Sequence, residues 1–104
     1  MPDAYMPEAG VYSINATGTQ VTANVVSNVV AIPPAADGNR PRFVRILTTG
    51  LAYVRPGNAG TVCTVNDILV NSNFDLVLNV RGFSHIAYLQ EAAGSKINIT
   101  PLEV

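Results

Sequence analysis

"RFVRILTTGLAYVRPG", Arg42 to Gly57, is the stretch on which the reading of this chain turns. In an extended backbone successive side chains point to opposite faces. Val44 and Ile46 therefore share one face of the first run, and Phe43, Arg45 and Leu47 share the other. Past Thr48, Thr49 and Gly50 the pattern resumes, with Ala52 and Val54 against Leu51, Tyr53 and Arg55. Two alternating runs joined by a short Gly-containing segment predict a β-hairpin. Both faces of that hairpin are partly apolar, so one serves the core and the other needs a second explanation. Arginine stems lying over the sheet with their heads in water are one explanation. The other is a contact, either inside the sandwich with loops covering the Val/Ile face, or with another protein chain, since interface cores favour aromatic residues and arginine over lysine.

The same alternation runs through most of the chain. In "FDLVLNV", Phe74, Leu76, Leu78 and Val80 fall on one face and Asp75 and Asn79 on the other. In "SKINITPL", Ile97 and Ile99 oppose Lys96, Asn98 and Thr100, and Pro101 confines the strand to an edge or places it at a strand end, because proline has no N–H to donate. Further strands are expected at Val11–Asn15, Val21–Ile32 (bent or bulged near Asn28), Arg42–Thr48, Leu51–Arg55, Thr61–Thr64, Asp67–Asn71 and Ser84–Gln90. Turn signals such as Pro33-Pro34, Asp37-Gly38-Asn39, Arg81-Gly82 and Ala93-Gly94 separate them. The expectation is a single all-β domain over residues 11–104, a compact antiparallel β-sandwich or jelly roll of about eight to nine short strands. Residues 1–10 lack alternation and form an extended N-terminal arm, either disordered or ordered on assembly through Tyr5 and Met6.

Composition narrows the function. The 104 residues are 48% hydrophobic but only 12% charged, with a formal net charge of −1. Ordinary domains carry about 25% charged residues, so a neutral surface is expected. Five arginines and one lysine against seven carboxylates offer no basic stripe for nucleic acid over the whole chain. "MPDAYMPEAG" carries two acids and no apolar segment, so no secretory signal is expected, and no run approaches the length of a membrane helix. The single Cys63 has no partner for an internal disulfide and reads as a small buried thiol, and a soluble protein from a reducing compartment, or one assembled there, is expected.

Catalytic constellations are hard to assemble from these residues. The one histidine, His85, lies on an apolar strand face, whereas a cupin-like metal site would require further ligands. Ser84 or Ser95 with His85 and Asp67 lack any nucleophile turn or oxyanion element. Gly57 to Gly60, "GNAG", has neither the lysine nor the helix of a phosphate loop. No catalytic, metal-binding or cofactor-binding residue is expected. Sequons at Asn15 and Asn98 matter only in a secretory context.

Over about residues 42–104 the chain resembles the small β-sandwich virion proteins of tailed phages. The resemblance is carried by "VRI", a hairpin holding "AYV", a long polar turn, the "HIAYLQ" strand and the closing "INIT" strand. It implies a capsid decoration, or cement, protein on the outer surface of the virion, with the major capsid protein as partner and a dimer or trimer as the working unit. Neither nucleic acid nor membrane is an expected partner. The resemblance supplies no active-site residues. The interface residues expected from strand parity and the arm are Tyr5, Met6, Tyr12, Phe43, Arg45, Leu47, Leu51, Tyr53 and Arg55. The competing reading is a carbohydrate-binding module of a tail or fibre, stacking sugars on Tyr5, Tyr12, Tyr53 and Tyr88.

Overall fold

The structure is a computed structural model that describes residues 16–72 and 75–102. The arm, the strand expected at Val11–Asn15, Tyr5, Met6 and Tyr12 lie outside the described residues, as does Phe74. Among the described residues there are eight strands: β1 Thr19–Thr22, β2 Asn28–Ala31, β3 Phe43–Thr48, β4 Ala52–Gly57, β5 Ile68–Val70, β6 Leu76–Asn79, β7 His85–Gln90 and β8 Lys96–Leu102. They form two four-stranded antiparallel sheets, β1-β8-β3-β6 (sheet A) and β2-β7-β4-β5 (sheet B). The all-β sandwich expected from the alternation is what forms.

The pairing has one simple origin. β1 pairs with β8, β2 with β7, β3 with β6 and β4 with β5, like the two sides of one long folded ribbon. Rolling that ribbon brings β3 beside β8 and β4 beside β7, which completes each sheet. This is the winding of a jelly roll.

The winding corrects the hairpin expected at Arg42–Gly57. β3 belongs to sheet A and β4 to sheet B, so the two never pair. Thr49 stays with sheet A, donating its N–H to the Lys96 carbonyl (3.0 Å), while the Leu51 carbonyl already accepts from Glu91 N (3.1 Å) and Ala92 N (3.0 Å) beside sheet B. Thr49, Gly50 and Leu51 therefore carry the chain across the sandwich. The physical reason is burial: Val44, Ile46 and Thr48 line the inside of one sheet, and Ala52 and Val54 line the inside of the other. A hairpin would put all five on one face of a single sheet, whereas the crossover lets the two rows bury each other.

A second correction has the same cause. Val21–Ile32, expected as one bent strand, is two strands in different sheets. Ala23 N still reaches the Ser95 carbonyl (2.7 Å), but Asn24 O already accepts from Gln90 N (3.0 Å), so the sheet changes there. Asn24 Oδ1 accepts from Val25 N (3.0 Å) and Asn28 Nδ2 donates to the Val26 carbonyl (3.2 Å), local bonds that replace a ladder. Thr61–Thr64 is loop rather than strand. Pro101 does sit near a strand end, opposite Val44 and past Ile99, the last residue of β8 paired with β1. The edge alternative fails, because β8 lies between β1 and β3.

Val44, Ile46, Ile97 and Ile99 from sheet A meet Ala52, Val54, Val70, Ile86 and Tyr88 from sheet B in one core. Each of those isoleucines is completely buried. Burial of one such side chain contributes about 1.5–3 kcal/mol.

Candidate docking surfaces

With the core-facing rows assigned, the remaining rows face outwards, and the crossover divides them. Phe43, Arg45 and Leu47 lie on the outside of sheet A. Their cross-strand neighbours there are Asn98, Thr100 and Leu102 of β8 and Val77 and Asn79 of β6. Tyr53 and Arg55 lie on the outside of sheet B, beside Leu89 and Ala87 of β7 and Leu69 of β5. The two groups stand on opposite sides of the molecule. The single arginine and aromatic face expected for residues 43–55 thus becomes two faces, and Leu51 belongs to neither, being in the crossover.

On sheet A the outer face is only partly open. Phe43, Arg45 and Leu47 are half-buried, and Leu102 is 3% exposed although it points away from the core. The Thr100 hydroxyl donates to Asn98 Oδ1 (2.7 Å) along the same row. Arg45 Nε is shielded from solvent and has no hydrogen-bond partner. Val77 remains 39% exposed beside it.

On sheet B the loop 58–67 dominates. It leaves β4 at Gly57, reaches the far edge where Cys63 N donates to Ser27 Oγ (2.8 Å), and returns to β5. Ala87 points outward yet is completely buried, and neither it nor Cys63 belongs to the intersheet core. Both observations follow if the loop crosses the outer face of sheet B. Local bonds give the loop its shape. Asn58 Oδ1 accepts from Gly60 N (2.8 Å), Thr61 Oγ1 from Asn58 N (2.9 Å) and Asp67 Oδ2 from Thr64 N (2.7 Å). A Cβ on Gly57 would fall on the Thr61 side chain, so this turn requires glycine.

The electrostatics of this side are local. Asp67 also faces Arg55 at 3.9 Å, the only ion pair among the described residues. Burial, reinforced by the neighbouring Asp67 charge, pushes the Cys63 thiol up to about 11. Tyr53 donates to Glu91 Oε1 (2.9 Å), and that bond raises the Tyr53 phenol above its ordinary value. His85 Nδ1 shares a hydrogen bond with Ser84 Oγ (2.8 Å). The bonds of Asp67 run to Thr64 and Arg55 rather than to His85. No group of three or more His, Cys, Asp or Glu side chains able to hold a metal ion occurs among the described residues.

Strand parity missed one apolar region. Val25, Val26, Val62 and Val65 are each more than 60% exposed, and Leu69 is 52% exposed. Val26–Val29 and Ala59–Val62 flank a shallow depression of about 440 Å³. The misplaced strands at Val21–Ile32 and Thr61–Thr64 concealed it, since both assign their valines to a sheet. Asn24, Asn58 and Asp67, whose side chains accept from backbone N–H groups of near neighbours, were the signal for loops.

These features define the class as an eight-stranded antiparallel β-sandwich with jelly-roll winding, carrying apolar residues and arginines on both outer faces. Compared with protein-family models, with curated proteins and with solved structures, the chain matches none.

Proposed function

We propose that this chain is a structural virion protein that decorates a phage capsid and stabilises it by bridging neighbouring coat subunits. The observation that supports this is the division of the outward rows. A single copy offers Phe43, Arg45, Leu47 and Val77 on one side and Tyr53, Leu69 and Leu89 on the other. Two outward surfaces on opposite sides are what a bridging subunit needs. Binding to the assembled lattice but not to free coat subunits shifts the equilibrium towards the particle, and linked weak contacts add through effective concentration. A jelly-roll sandwich serves many functions, so the winding alone carries no part of this proposal.

The sugar-binding alternative draws less support. Tyr88 is packed in the core and Tyr53 is tied to Glu91, so neither is a free stacking platform. The deciding experiment is co-sedimentation of the native protein with virus particles, with copies per particle counted. Hundreds of copies per particle are expected. A few copies would transfer the protein to the tail, and none would end the proposal. The single variants Arg45→Ala and Tyr53→Ala, which alter opposite faces, should each lower occupancy more than they lower stability.

A further inference from the structure

The winding gathers charges that are far apart in the sequence. One end of the sandwich is formed where β2 leads into β3 and β6 leads into β7. Val80 N donates to the Arg42 carbonyl (2.7 Å), which sets Arg81 beside the start of β3. Pro41 is buried, while Arg40 and Arg42 on either side of it are exposed, as is Arg81. Arg45 lies two positions further along the outer face of β3, its Nε without a partner. Arg40, Arg42 and Arg81 thus lie in the two segments that share this end, and Arg45 stands close by on the outer face of sheet A, four of the chain's six cations in a molecule whose net charge is −1. Segments 32–42 and 80–84 contain one carboxylate, Asp37, and the loop 58–67, which leaves the same end from Gly57 beside Ser84, adds Asp67, which is paired with Arg55. The Asp37 oxygens are engaged by Asn39 N (2.9 Å) and Asn39 Nδ2 (3.4 Å). The only ion pair among the described residues involves none of these four arginines. Phe83, 40% exposed, follows Arg81 across Gly82, whose φ of 88° makes the tight turn between them.

We propose that this arginine-rich end is a docking surface for a carboxylate-rich patch on a partner protein. Arginine presents a planar fork that binds a carboxylate through two parallel hydrogen bonds. An exposed aromatic among arginines is the composition of a protein interface. A nucleic acid would need a longer basic track to displace its counterions, and beyond these four arginines the sequence holds only Arg55 and Lys96 against seven carboxylates. The proposal rests on reading the chain as a docking protein and assigns the end that meets the coat.

The test uses the full chain and poly-L-glutamate as the probe, followed by amide chemical shifts, with an oligonucleotide of equal charge as competitor. Shifts are expected at Arg40, Arg42 and residues 80–84. The triple variant Arg40→Gln, Arg42→Gln, Arg81→Gln alters only exposed side chains, so it should melt as the parent does. It should bind the probe about tenfold more weakly or worse, while Arg55→Gln should bind as the parent does. Shifts elsewhere, no shifts, or equal losses in both variants would overturn the proposal. Preferential binding of the oligonucleotide would replace it with a nucleic-acid surface. Particle sedimentation separates this inference from the function beneath it. Full occupancy by the triple variant defeats only the arginine end, whereas failure of the parent chain to sediment with particles defeats only the capsid role.

Discussion

Replacing Thr48 by valine should make the fold more stable. Thr48 is the last residue of β3, opposite Ile97 and pointing between the sheets just before the chain crosses. It is 5% exposed, and its hydroxyl oxygen is buried without a hydrogen-bond partner. A hydroxyl taken from water with nothing in exchange costs about 1–3 kcal/mol. Valine has nearly the same shape and replaces that oxygen with a methyl group suited to the site. The expected gain is about 1–2 kcal/mol, which for a domain near this size raises the melting temperature by roughly 5–10 °C. Urea unfolding followed by far-ultraviolet circular dichroism measures it, and the slope against urea should stay the same. Thr48→Ser, which keeps the hydroxyl and removes the methyl, should lose about 1 kcal/mol. If Thr48→Val instead lost stability, the hydroxyl would have a partner, and the closed apolar seam at the crossover would be the wrong picture.

Other outcomes follow from the same geometry. Ile99→Ala removes a fully buried side chain from β8 and should cost about 2–5 kcal/mol in the same urea assay. With its thiol raised from 9.0 to about 11, native Cys63 should react with iodoacetamide at pH 8 about 100-fold more slowly than an unperturbed thiol. Because the unfolded chain gives up that proton first, stability should fall as pH rises from 9 to about 11, and Cys63→Ala should remove that component. Ultraviolet titration should find the Tyr53 phenol above 10.0 in the parent chain and moved back towards 10.0 by Glu91→Gln. Gly57→Ala should dislodge Thr61 and open the loop 58–67, exposing Cys63 to the same alkylation assay.

Much of this protein was legible in its sequence because strand alternation is a local property. Val44 and Ile46, Ala52 and Val54, and Ile97 and Ile99 are buried on the parity their neighbours dictate. The turn at Gly82 and the one at Gly94 also fall where glycine permits positive φ. Which sheet a strand joins is a different kind of fact. The segment Thr49-Gly50-Leu51 serves a hairpin or a crossover equally well, and the choice is made by β6, β8, β7 and β5 as distant pairing partners. That choice set Phe43 and Arg45 on one side of the molecule and Tyr53 and Arg55 on the other. It also brought Arg81 beside Arg42 through one backbone hydrogen bond, from Val80 N just after β6 to the Arg42 carbonyl just before β3. Side-chain period follows from covalent geometry within a few residues, whereas strand partnership is fixed only when the whole ribbon rolls up and buries both of its inner rows at once.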